Sequence, residues 1–140
     1  GVSEKKFKVV FLDIGLMSNI NNLTVQNIPA KSNLSAKFNG KLAEQFIGQE
    51  LRARREGNLY YWSRETRGSN AEVDYLIEKE GEIIPIEVKS GSSGQIRSLH
   101  LLLEQFKNVK KALVFTDDRY GELPEQKLLF KPLFSVSSIT

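Results

Sequence analysis

Apolar residues recur along this chain with two different periods, and the switches between them divide it into elements. Over residues 33–56 they fall every three to four positions. Leu42, Ala43, Phe46, Ile47, Leu51 and Ala53 form one arc of a helix. Asn33 or Ser35 offers a cap at its start and Gly57 a stop at its end. Ile96, Leu99, Leu102, Leu103 and Phe106 predict a second helix from about Gln95 to Phe106. Between the two helices the pattern shortens. "LYYW" at 59–62 reads as a short aromatic strand and "SRETRGSN" as a loop. Residues 71–79 and 82–89 alternate as two strands of a hairpin turning at Glu80-Gly81, where glycine accepts a positive φ without strain. "KALVFT" at 111–116 is a buried strand and "DDRYGELP" a loop. "KLLFKPLF" is an edge strand, because Pro132 cannot donate to a ladder. The predicted order is helix, three strands, helix, strand, with additions at both ends. This is an α/β domain around a mixed sheet.

The opening residues follow another pattern. "FKVVFLDIGLMSNI" carries an apolar run at 9–12 and then Ile14, Leu16, Met17 and Ile20, which reads as a strand entering a short helix. "NINNLTVQNIPAKSN" is polar, Asn-rich and broken by Pro29, so it reads as a loop or linker. Residues 1–30 are therefore expected to be the tail of an upstream region, and residues 31–140 the domain proper.

Hairpin arithmetic exposes the candidate chemistry. Partners across a Glu80-Gly81 turn have numbers summing to 161, which pairs Val73 with Val88, Tyr75 with Ile86 and Ile77 with Ile84 on an apolar face. The other face then sets Asp74 opposite Glu87, Glu72 opposite Lys89 and Leu76 opposite Pro85. Two carboxylates about 5 Å apart on neighbouring strands repel unless a positive charge joins them. A divalent cation fits that role, since hard oxygen ligands suit Mg²⁺. Lys89 projects to the same face as Glu87. A plain surface ion network is the other reading of these residues, and spacing does not separate the two.

The chain's 140 residues are 40% hydrophobic and 26% charged, the composition of one globular domain. No apolar run is long enough to span a membrane, and no secretory signal is visible. The absence of cysteine excludes disulfides and thiolate metal sites, and a cytoplasmic location is expected. The single histidine, His100, rules out His-dependent triads and a His-rich zinc site. Net charge is only +3. The basic residues cluster at Arg52, Arg54 and Arg55, and at Arg64 and Arg67, either as phosphate contacts or as a solvated helix end. Tyr60, Tyr61 and Trp62 could stack on bases, though a central strand would place them in the core. Gln95 and the "SGSSG" loop at 90–94 could support a phosphate at the following helix start.

The sequence Asp74 … Glu87-Val88-Lys89 resembles the Asp … (Asp/Glu)-x-Lys motif of the PD-(D/E)xK nuclease superfamily. The superfamily's core has the helix and strand order read above, so the resemblance implies a restriction-endonuclease-like fold. Its first helix supplies a further acid. "Gly40-Lys41-Leu42-Ala43-Glu44" places Glu44 there, while Glu50, nearer the middle of the apolar arc, competes for the role. More narrowly, the chain is similar to an uncharacterised C-terminal domain of prokaryotic AAA-like P-loop ATPases. The segments that match are Phe11-Leu12-Asp13-Ile14-Gly15-Leu16, the Gly40 to Glu44 helix, Tyr60-Tyr61-Trp62, Glu72-Val73-Asp74 and Ile86-Glu87-Val88-Lys89-Ser90. Val73 stands where the superfamily's name has proline. No Gly-x-x-x-x-Gly-Lys-(Ser/Thr) occurs, so no nucleotide chemistry is assigned to this chain.

The resemblance implies Mg²⁺-dependent phosphodiester hydrolysis, with Mn²⁺ able to substitute. Asp74, Glu87 and the Val88 carbonyl would hold the metal, Lys89 would position the attacking water, and Glu44 would complete the acidic cluster. DNA and the ATPase region of the same parent chain are the expected partners, with no membrane. The alternative is an inactive module of the same fold that docks DNA or protein for the ATPase. Nothing in the sequence fixes an oligomeric state.

Overall fold

The computed structural model describes residues 2, 3, 5–20, 33–66, 68–90, 96–117 and 120–139. A short helix α1 (Ile14–Ile20) precedes the long helix α2 (Asn33–Arg54). Then come β1 (Tyr60–Thr66), β2 (Ser69–Lys79), β3 (Glu82–Val88), α3 (Arg97–Gln105), β4 (Ala112–Thr116), β5 (Gly121–Leu123) and β6 (Leu128–Pro132). A 3-10 segment, Leu133–Ile139, closes the described chain. Among the described residues the strands form one mixed sheet in the order β1-β2-β3-β4-β6-β5. β1 to β3 are an antiparallel meander. β4 joins β3 in parallel after the α3 crossover, and β6 lies parallel to β4 with β5 antiparallel beside it.

Alternation along β4 separates the two faces. Leu113 and Phe115 join Ala43, Ile47 and Leu51 of α2, together with Val136 and Ile139 of the 3-10 segment. Ala112 and Val114 join Leu99, Leu102 and Leu103 of α3. Because β4 is covered on both sides it reads as a continuous apolar run, as interior parallel strands do. The buried side of α2 is Ala43, Ile47 and Leu51. Leu42 and Phe46 are half-buried, and Ala53 is exposed.

Several expected elements are corrected. Residues 9–12 form no strand: among the described residues they make no backbone–backbone hydrogen bond, Val10 packing on the α2 core while Val9 and Leu12 face solvent. "SRETRGSN" is not a loop. β1 continues to Thr66 and β2 begins at Ser69, so the polar residues belong to a hairpin whose outer strand is the sheet edge, not a central strand. "DDRYGELP" contributes β5, which makes β6 an inner strand. β5 pairs only with residues 128–130, so Pro132 lies past its end and no donor is required there. The polar stretch expected as a linker at 21–32 lies outside the described residues. Residues 6–11, expected to belong to an upstream tail, lie against the domain. The Gln45 side chain donates to the Phe11 carbonyl at 3.0 Å.

The β2–β3 hairpin has the expected register from Tyr75–Ile86 to Lys79–Glu82. Glu80 (φ 55°) and Gly81 (φ 79°) both take positive φ, the requirement of a type I′ turn. The Glu78 side chain accepts the Gly81 N–H at 3.0 Å and braces the turn.

Candidate acidic site

A one-residue irregularity in the β1–β2 ladder builds the site. Tyr60 pairs with Leu76 and Trp62 with Val73, so Tyr61 alone faces both Asp74 and Tyr75. This is a β-bulge on β2, a device that re-aims side chains. It resets the alternation: Val73 falls in the α3 cluster with Leu76 against it, while Tyr75 and Ile77 fall in the α2 cluster. The expectation that Val73, Tyr75 and Ile77 share a face is thereby corrected. Simple alternation cannot hold across an inserted residue.

Within the bulge, Asp74 occupies the seam between β2 and β3. The regular ladder ends at Tyr75–Ile86, and beyond it the Asp74 Oδ2 accepts the Val88 N–H at 2.8 Å. Its other oxygen turns toward α2. There the oxygens of Asp74, Glu44 and Glu72 gather within 4.8 Å of one another. The ammonium of Lys8, from the opening segment, sits among them. Lys8 Nζ lies 2.7 Å from Glu44, 2.9 Å from Glu72 and 3.4 Å from Asp74, with the rings of Tyr75 and Tyr61 at 5.1 and 5.8 Å. It also donates to the Asp74 carbonyl at 3.3 Å. Lys41, one helical turn before Glu44, bridges that acid from the solvent side at 3.2 Å.

Tyr75 fixes the helix over the site. Its hydroxyl donates to the Glu44 carbonyl at 2.9 Å. Gly48 makes this approach possible, because a Cβ there would lie 2.4 Å from the Tyr75 oxygen. Burial, reinforced by the nearby Glu44 charge, holds the Tyr75 hydroxyl well above the usual phenol range.

Glu87 stands apart from the three gathered acids. Its neighbours Ile86 and Val88 pack on the α2 core, so by alternation it leaves β3 toward the other face, where it is buried. Lys89 pairs with its Oε1 at 2.6 Å, while Oε2 is buried with no hydrogen-bond partner among the described residues. Burial first, then the Asp74 carboxylate, push the Glu87 pKa up to about 7 against the opposing pull of Lys89. Asp74 is raised too, by burial and by Glu44. For Glu44 burial acts upward, but Lys8 and Lys41 outweigh it and leave its pKa lowered.

The structure thus brings Glu44 to Asp74 and adds Glu72 and Lys8, neither of which was among the expected site residues. Glu87 and Lys89 adjoin them as a separate pair. The Val88 backbone touches Asp74 through its N–H. Glu72 pairs with Lys8, not with Lys89 as the extended register would have it. Glu50 bridges Arg54 at 2.9 Å, away from the cluster. For Glu72 the signal was present in "EVDY", two residues before Asp74. For Lys8, a lysine inside an apolar run was the sole hint.

The remaining candidates have local partners. Arg52 donates to the Gly57 carbonyl at 2.7 Å just past α2, and Arg55 to the Glu78 carbonyl of β2, so both have partners within the fold. His100 lies 3.2 Å from the Gln126 side chain. Trp62 packs partly on the α3 core, while Tyr60 is exposed. Arg67, Gln95 and residues 91–94 lie outside the described residues. No helix among the described residues is long and apolar enough to cross a membrane.

A family model described as "Domain of unknown function (DUF4143)" matches residues 39–131. No curated protein matches the chain.

Proposed function

The chain belongs to that family, and we propose that it is a nuclease-like domain that binds a divalent cation at Asp74 and hydrolyses phosphodiesters of nucleic acid. The observation that carries the reading is a gathering of acid, two of its members largely buried (Glu44 and Asp74) and one exposed (Glu72). Three carboxylates converge at one point, and beside them Glu87 keeps a buried oxygen with no partner among the described residues. Lys8, Lys41 and Lys89 offset three of these four acids, and the residual negative charge is what a ligand cation would balance.

The donor set fits Mg²⁺ or Mn²⁺, all hard oxygens with no thiolate or imidazole. Asp74, with Glu44 and Glu72 or with Glu87 and the Val88 carbonyl, would hold the ion. When bound, the cation supplies Lewis-acid stabilisation of charge on a phosphoryl oxygen. The other roles fall to the chain's own side chains. Lys89, half-buried beside Glu87, orients the attacking water or neutralises a phosphate oxygen. Glu87, whose pKa burial raises, would release its proton on holding a cation. The element order and the Asp … Glu-x-Lys spacing support a restriction-endonuclease-like core, and the family together with the segments at residues 11–16, 60–62 and 86–90 supports attachment to a AAA-like ATPase.

A second reading is favoured by one observation. Lys8 neutralises the gathered acids internally, as it would in an inactive module that docks DNA or protein for an ATPase. Calorimetry with Mn²⁺ separates the two. Heat of binding with the native chain, lost in Asp74→Ala, is expected, followed by cleavage of plasmid or single-stranded DNA that Lys89→Ala abolishes. Neither binding nor cleavage would leave the docking module.

A further inference from the structure

Lys8 reaches the acids from a segment with little else to hold it. Residues 5–12 make no backbone–backbone hydrogen bond among the described residues. Their anchors are Val10 against the α2 core, the Gln45 bond to the Phe11 carbonyl and an exposed Lys6–Glu65 pair. Phe7 is 82% and Val9 61% exposed. The segment therefore buries little besides the Lys8 side chain, and that side chain ends where a metal's positive charge is needed.

We propose that Lys8 is a displaceable internal cation: its ammonium competes with a divalent ion for Glu44, Glu72 and Asp74, so that metal binding and release of residues 5–12 are one linked equilibrium. The proposal rests on the metal-site reading above. An ammonium and a dication crowded against the same three carboxylates repel each other. An ammonium 2.7 to 3.4 Å from all three acids fills the space a bound ion would take. Opening costs the segment few hydrogen bonds, and the acids left behind are re-neutralised by the ion. If the closed form dominates, apparent metal affinity falls by the fraction of chains that are open. Whatever holds the segment away from the sheet would raise that affinity.

Two measurements on the full chain test this. In calorimetry, Lys8→Met keeps the side-chain length without the charge and is expected to bind Mn²⁺ about a hundredfold more tightly than the native chain, given about one open chain in a hundred. The native chain has no cysteine, so Val9→Cys carries a single nitroxide, and Mg²⁺ is expected to mobilise its spectrum. Equal Mn²⁺ affinity in native and Lys8→Met chains would overturn the competition and leave the metal site standing. An unchanged nitroxide spectrum at saturating Mg²⁺ would do the same, even if Lys8→Met failed to fold. Absence of metal binding in both chains would remove the site and the competition together.

Discussion

The two ends of the β2–β3 hairpin carry acids at similar density and treat them in opposite ways. At the turn end Glu78 and Glu80 are exposed and Glu82 is only half-buried. Glu78 braces the turn, and Glu82 pairs with the exposed Lys110, which lowers its pKa. At the open end Asp74 and Glu87 are drawn inward, their pKa values rise, and a lysine 66 residues away in sequence from Asp74 is brought in to offset the charge. The turn end is what a folding sequence needs. The open end opposes folding, and such local conflict is characteristic of functional sites.

Breaking the open end is expected to have the largest effect. Lys8→Met leaves three converging carboxylates without their shared cation and should cost about 3 kcal/mol, the scale for removing one partner of a substantially buried ion pair. Urea unfolding at pH 7 measures it, and added Mg²⁺ should restore much of the loss.

Glu87→Gln comes next and acts through pH. Glu87 has a folded pKa of about 7 against an ordinary 4.5. Between those values the folded state keeps a proton that the unfolded state has lost, so this group makes stability fall as pH rises through the window. The full shift corresponds to on the order of 3 kcal/mol, which Glu87→Gln should remove. Its unfolding free energy is expected to vary less with pH from 4.5 to 7, and above that window the variant should be the more stable chain.

At the turn end the effects shrink. Gly81→Ala places a Cβ at φ 79° and should cost about 1 kcal/mol in the same urea experiment. Glu82→Gln, which loses an exposed pair with Lys110, should leave the unfolding midpoint unchanged. A large effect there, or none from Lys8→Met, would erase the contrast between the two ends.

The sequence made the turn end fully legible. Alternation and the Glu80-Gly81 pair determine its register, because each link is local. The order of helices and strands was legible for the same reason, whereas the apolar arc of α2 alone favoured Glu50 and only the resemblance pointed to Glu44. What lay hidden was non-local. The bulge at Asp74–Tyr75 is visible only against β1, where Tyr61 faces two residues, so Val73 was assigned to the wrong face. Lys8 approaches through space from an element that pairs with no strand. β5, three residues long, carries too few positions for its alternation to register, and missing it turned β6 into an apparent edge.

The central claim is that the acids at the open end hold a divalent cation. Crystals soaked in Mn²⁺ and measured at the manganese absorption edge test it most directly. The account expects an anomalous peak bonded to Asp74 and to Glu44 or Glu72, with Lys8 Nζ withdrawn. No peak at saturating Mn²⁺, with Lys8 still seated between the three carboxylates, would contradict it.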